Sequence, residues 1–447
     1  MERLSDFPYF PLEFTKEASV HDPAQITALK EFLTQGGATD LIIISHGWNN
    51  NMAEANELYR LFFANLRALI DSGATPGLAQ RKLAVLGVLW PSKRFEEKEL
   101  IPSGAAGVSS LTGMVAMKAK LADLKGTFDS PHADRTLDEL QQLLPKLEDS
   151  SATRKEFIEK VRSLIRKGTA EEEDGSKSFF ATPPGEVLEK LSKPVSFTVA
   201  HAPAQAGGAA AIGTGGAANI GAGGAAGLGE FFSGIWSGVR NVLNYTTYYQ
   251  MKERAGTVGA NGLNPLLREI ASQQPGIKLH LVGHSFGGRL VTAAVAGTDG
   301  TSTLKISSLS LLQAAFSHYG FSQKWDGASD GTFRRILTGQ AVAGPTIITC
   351  TDNDKAVGLA YPIASLLAGQ VAAGIGDKND KYGGIGRNGA QKTPEAVDES
   401  LLDVNKPYSL TNGRMHNLNT THFIRDHGDI HNAQVVYAVA SAIAAAT

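Results

Sequence analysis

A single cysteine, Cys350, is the whole thiol content of 447 residues. No intrachain disulfide can form, so cysteine usage does not mark an oxidising compartment. An excess of one charge is also lacking. The formal net charge is -2 and no long basic run stands out, so nucleic acid is not an expected partner. The N-terminal Met-Glu-Arg-Leu-Ser-Asp has no basic stretch leading into an apolar one. A cleavable signal peptide is therefore not expected. The cytoplasm is the default compartment, and export without such a signal stays open. Large apolar side chains are scarce in the longest low-complexity run, Ala204 to Gly229, which is mostly glycine and alanine and carries no charge. It reads first as a flexible loop and second as a small-residue helix packed on a partner. A bilayer span comes last, because glycine is a poor helix former and the run lacks bulk.

What the chain does contain is apolar sequence in short, regularly placed runs. Leu41-Ile42-Ile43-Ile44 marks a buried strand over 40–46, and further strands read at 83–90, 277–283, 306–313 and 346–351. Between them lie helical patterns. Leu58, Leu61, Phe62, Leu66 and Ile70 share one face over 52–71, and further helices read at 286–297 and 433–446. The alternation predicts an α/β fold, a mostly parallel sheet flanked by helices.

Residues 93–245 interrupt that alternation. Helical spacing recurs at 106–124, 136–148 and 153–167, and Glu171-Glu172-Glu173-Asp174 reads as a solvated loop. Phe231, Phe232, Ile235, Trp236, Val239, Val242 and Leu243 give 230–250 an aromatic face. That face packs on the body or serves as a lid. The expected organisation is a core of 1–92 and 246–447 with a large helical insertion, 93–245, containing the Gly/Ala-rich segment 204–229. Residues 370–400 form a second Gly-rich, polar stretch.

Gly283-His284-Ser285-Phe286-Gly287 matches G-x-S-x-G between a strand and a helix. A serine on such a turn is exposed above the sheet with a helix N-terminus beneath it, and small residues, Gly283, Gly287 and Gly288, let neighbouring segments approach. Ser285 is the expected nucleophile of an α/β-hydrolase fold. His46-Gly47-Trp48 follows an early strand, where an oxyanion loop is expected. The main-chain N–H groups of Trp48 and Phe286 would be the donors, with His46 and Gly47 supporting the loop.

In this fold the acid and then the base follow the serine along the chain. Asp352 and Asp354 come just after the 346–351 strand. Asp354 is the first choice and Asp352 the second. A calcium reading of this D-x-D fails, because the glycine and distal glutamate of a calcium loop are missing. Asp426-His427-Gly428-Asp429-Ile430-His431 precedes the last helix, with His427 the first choice of base and His431 the second. His416 and His422 read as structural. Phe316, His318, Tyr319 and Phe321 either line the acyl pocket or pack a loop.

Several motifs then line up: His46-Gly47-Trp48-Asn49-Asn50, Leu89-Trp90-Pro91-Ser92, Gly283 to Gly288, Asn353-Asp354-Lys355-Ala356-Val357, and His427-Gly428. Over about 40–92 and 275–447 the chain resembles bacterial α/β-hydrolases related to lipases and carboxylesterases. The resemblance implies Ser285, Asp354 and His427 as a triad. The expected reaction is ester hydrolysis through an acyl-enzyme, with no metal and no cofactor, on a small-molecule or lipid ester. One rival is a lipase or phospholipase that engages membranes through the insertion. The other is a non-catalytic α/β-hydrolase scaffold used for binding.

Overall fold

The computed structural model describes residues 2–48, 50–92, 110–166, 171–192, 196–197, 218–219, 234–298, 300–354, 378 and 380–446. Its strands are β1 (Glu2–Leu4), β2 (Phe7–Glu13), β3 (Asp40–Ser45), β4 (Leu83–Leu89), β5 (Ser196–Phe197), β6 (Ala218–Asn219), β7 (Lys278–His284), β8 (Ser308–Leu312), β9 (Thr346–Cys350), β10 (Ala396–Ser400) and β11 (Met415–Asn419). Nine form one sheet in the order β1-β2-β4-β3-β7-β8-β9-β11-β10, and β5 pairs with β6. Only β1 and β2 run antiparallel in the larger sheet; its other neighbours are parallel. The fold is α/β, a mostly parallel sheet flanked by helices. Every residue of β3 and β4 is buried, as continuous apolar runs require when both faces of a sheet are covered.

The covering helices start and stop for local reasons. Asn51 Oδ1 accepts the Glu54 N–H at 2.9 Å while the Glu54 carboxylate accepts the Asn51 N–H at 2.7 Å. This reciprocal cap opens the helix Met52–Asp71 and is worth about 1 kcal/mol. Tyr59, Phe62, Phe63 and Leu66 from that helix share a core with Val435, Val436 and Val439 of the helix Ala433–Ala445. The helix Phe286–Ala296 is buried throughout and packs on β7 and β3.

Strand register decides where loops gather. Ser45 pairs with Gly283, His284 with Leu312, and Leu312 with Thr349, so the carboxyl ends of β3, β7, β8 and β9 stand side by side. Ligands in open α/β sheets bind outside such ends.

The chain divides into two compact units. Met1–Glu96, Tyr248–Gly358 and Tyr382–Thr447 form the sheet unit; Glu97–Thr247 and Leu359–Lys381 form the other. The second contains the helices Ser110–Asp123, Ala133–Leu143, Ser151–Ser163, Ser176–Ala181 and Pro184–Leu191. The helix Ile235–Thr257 begins in it, and Tyr248 onward counts with the sheet unit. Its aromatic face is packed: Trp236, Val239, Val242 and Leu243 are buried, and Trp236 Nε1–H donates to Glu148 Oε1 at 2.8 Å. The Gly/Ala-rich run 204–229, apart from 218–219, lies outside the described residues, as do Phe231 and Phe232. The acidic segment 171–174 departs from the expected solvated loop. Glu173 and Asp174 are buried, and Asp174 Oδ1 accepts the Ser176 N–H at 2.9 Å, just ahead of the next helix.

Candidate active site

Ser285 stands between β7 and the helix Phe286–Ala296 with φ 55 and ψ -124. A non-glycine residue in this region is strained by about 1–3 kcal/mol and persists only where its surroundings hold it. Three main-chain bonds do so here. Its N–H donates to Leu312 O at 3.1 Å, and its carbonyl accepts from Gly288 at 2.9 Å and Ala315 at 3.0 Å. Gly287 is required by close approach, since a Cβ there would collide with the carbonyls of Ser45 and His46.

The loop after β3 lies against the serine. A Cβ on Gly47 would sit 2.6 Å from Ser285 Cβ and 3.2 Å from Ser285 Oγ, so only glycine fits. His46 anchors this loop. Its main-chain N–H donates to Tyr59 Oη at 2.8 Å, and its carbonyl accepts Trp90 Nε1–H at 2.9 Å. Trp90 N–H donates to His46 Nε2 at 3.3 Å, so the ring proton is on Nδ1, which donates to Gly47 O at 2.9 Å. Ser92 Oγ–H donates to Asn50 O at 2.9 Å. The Trp-Pro-Ser stretch thus acts as a brace for the His-Gly-Trp loop. Asn49 lies outside the described residues. Phe286 opens its helix, and helix-opening amides have no intrahelical acceptor. Among the described residues no protein acceptor takes the N–H of Trp48 or Phe286. The rings of Trp48 and Tyr248 flank Phe286 at 6.1 and 4.8 Å.

Asp354 is fully buried, and His427 Nδ1 donates to its Oδ2 at 2.8 Å. Asn353 Nδ2 donates to Thr421 O at 3.0 Å and Ile424 O at 2.8 Å, tying the acid's loop to the histidine's. The second choices stand elsewhere. Asp352 is exposed and its carbonyl accepts from Arg387, while the His431 carbonyl accepts from Asn65 Nδ2 at 2.8 Å. Lys355, Ala356 and Val357 lie outside the described residues. Ser285 Oγ makes no hydrogen bond to His427 among the described residues.

A Ser–His–Asp chain that is hydrogen-bonded throughout lies at the other end of the strands. His280 Nδ1 is 2.7 Å from Ser308 Oγ and His280 Nε2 is 2.9 Å from Asp40 Oδ1. All three are at most 1% exposed, against 21% for the side chain of His427. Arg81 reaches Asp40 at 3.0 Å and the carbonyls of Ile443, Ala444 and Ala446 that end the last helix. Burial alone would raise the Asp40 carboxyl, but His280, Thr39 and Arg81 outweigh it and lower it. Sealed from solvent, this chain is a structural pin.

Phe316, Tyr319 and Phe321 are also buried. Phe316 packs edge-on against Phe321 and Phe333, Tyr319 stacks on Trp325, and His318 Nδ1 meets Asn388 Nδ2 at 3.0 Å. Of the two readings of this segment, loop packing is the one the contacts support.

Neutral, buried histidines lead us to expect that the fold weakens in mild acid. Burial lowers His46 to about 4 and His284 to about 3, and it lowers His280 as well. An unfolded histidine titrates near 6.5, so below that pH the unfolded chain binds more protons and stability falls. Each such imidazole costs roughly 1.4 kcal/mol per pH unit until its folded pKa is reached. The melting temperature should drop between about pH 6.5 and pH 5, above most carboxylate titration. A flat melting temperature across that interval would contradict neutral burial.

No family model matches the sequence, and comparisons with curated proteins and with solved structures found no match. Among the described residues no group of three His, Cys, Asp or Glu side chains is placed to hold a metal ion. No described helix is long and apolar enough to cross a membrane.

Proposed function

We propose that this chain is a serine hydrolase of the α/β-hydrolase fold that cleaves carboxylic esters through an acyl-enzyme. The observation that carries the reading is the 2.8 Å pair between buried Asp354 and His427, in a chain whose Ser285 sits strained at a strand-to-helix turn. Ser, Asp and His follow one another in the order of that fold.

His427 Nε2 takes the proton of Ser285 Oγ as the oxygen attacks the ester carbonyl. Asp354 fixes the imidazole with its proton on Nδ1 and stabilises the imidazolium that forms. The tetrahedral oxyanion is met by the amides of Trp48 and Phe286, aided by the helix N-terminus. His427 then protonates the leaving alcohol, and water repeats the sequence in reverse to free the acid. Each step is a proton transfer or acyl transfer within these residues. His46 takes no part in proton movement, because both ring nitrogens are bonded, Nδ1 to Gly47 O in the loop and Nε2 to the Trp90 N–H at the end of β4.

A small-molecule ester is preferred to a lipid surface as substrate. The helix face read as a membrane contact is buried at Trp236, Val239, Val242 and Leu243. The aromatic trio of Trp48, Tyr248 and Phe286 beside the serine favours an apolar acyl group. Activity on p-nitrophenyl esters of graded chain length tests this. Hydrolysis is expected, with kcat/KM higher for the hexanoate than for the acetate. A parent inert along the whole series would rule the esterase reading out.

A further inference from the structure

His427 is held through its main chain as well as its ring. His284, the residue before Ser285, donates Nε2–H to the carbonyl of His427 at 2.8 Å. Gln313, the residue after β8, donates Nε2–H to the carbonyl of Asp426 at 3.1 Å. Two successive carbonyls of the histidine loop are therefore gripped from the two strand ends that flank the serine turn. Those ends are themselves joined by the bond from Ser285 N–H to Leu312 O.

Both gripping side chains are buried, and each leaves a polar atom without a partner among the described residues: Nδ1 of His284 and Oε1 of Gln313. Gln313 also holds a left-handed backbone at φ 44, braced by its N–H on Thr349 Oγ1 at 3.0 Å. Unsatisfied buried groups and strained residues are disfavoured, and their clustering at one loop calls for a role beyond packing. The His427 carbonyl can only accept, so the His284 proton is on Nε2. Its ring stands 4.8 Å from the ring of His427. A positive charge on His284 would repel the imidazolium formed during catalysis, and burial keeps it neutral.

We infer that His284 and Gln313 are positioning residues, a two-point clamp on the carbonyls of His427 and Asp426 that sets the imidazole's place relative to Ser285. The clamp rests on the ester-hydrolase reading. It touches no substrate. Its effect is on geometry, where a displacement of about 1 Å costs on the order of 100-fold in rate.

The test compares the parent with His284→Phe, His284→Gln, His284→Asn and Gln313→Met, by kinetics on p-nitrophenyl butyrate and by melting temperature. His284→Phe and Gln313→Met keep bulk but lose the donor. Each should lower kcat by about 10- to 100-fold while KM stays within about twofold. The glutamine amide reaches as far as Nε2, so His284→Gln should recover most of the loss. The shorter asparagine amide falls short, and His284→Asn should not. A purely structural role instead makes activity follow melting temperature, with no difference between Gln and Asn. Folded Phe and Met variants within about twofold of the parent overturn the clamp, as does a Gln variant no faster than Asn. If His284→Phe does not fold, Gln313→Met and the Gln–Asn comparison decide. A parent inert on butyrate removes the hydrolase reading along with the clamp; an active parent with unmoved variants removes the clamp alone.

Discussion

Ser285→Ala should lower kcat by about 10⁴- to 10⁶-fold while leaving the chain folded, since members of a triad act as a unit. In the proposed mechanism the hydroxyl supplies the bond-forming oxygen, which alanine lacks. Stability should scarcely change, because the turn is held by the main chain of Ser285, not by its Oγ. A further variant separates chemistry from strain. Ser285→Gly should be equally inactive yet melt higher, because glycine accepts φ 55 without penalty. The relief of about 1–3 kcal/mol is partly offset by the glycine's freer unfolded state, leaving roughly 1 kcal/mol. A serine replaced without loss of rate on activated esters would move the nucleophile elsewhere.

Asp354→Asn should cost about 10⁴-fold in kcat with the fold intact. The amide is nearly the shape of the carboxylate, so packing is kept. Presenting its NH₂ to His427 Nδ1, it holds the ring with the proton on Nε2, the tautomer that cannot accept from serine. It also leaves the imidazolium without a counter-charge. Asp352→Asn is the internal control. That side chain is exposed, and its residue meets its neighbours through its carbonyl, so the rate should stay close to that of the parent. A large loss at Asp352 and none at Asp354 would reverse the assignment of the acid.

The elements that were legible in the sequence are those with strong periodicity. The runs of β3, β4, β7, β8 and β9 and the helices Met52–Asp71, Phe286–Ala296 and Ala433–Ala445 stand within a few residues of their expected places. The edges of the sheet were not legible. β2 contains Pro8 and Pro11, residues that argue against a strand, yet it lies near the edge and pairs through its remaining amides. β10 is half-exposed and β11 carries His416 and Asn417, so neither shows an apolar run. At the site, positions were readable because each candidate follows a strand end or precedes the last helix. What no pattern reveals is side chain to main chain bonding across the fold. Trp90 and Ser92 bracing the His46 loop, and His284 and Gln313 gripping the His427 loop, bridge 42 to 143 residues of sequence. Nothing in residue type announces such partners. Sealed chemistry is equally invisible: Ser308, His280 and Asp40 have the side chains of a triad, and only burial marks them as structural.

The central claim, an activated Ser285, is tested most directly by covalent labelling with a fluorophosphonate. The intact chain should take up one probe per molecule, mapped by peptide mass spectrometry to Ser285, and Ser285→Ala should take up none. Asp354→Asn should label far more slowly than the parent. A parent that stays unlabelled, or one labelled elsewhere with Ser285→Ala reacting equally, would contradict the account and leave the chain as a binding scaffold.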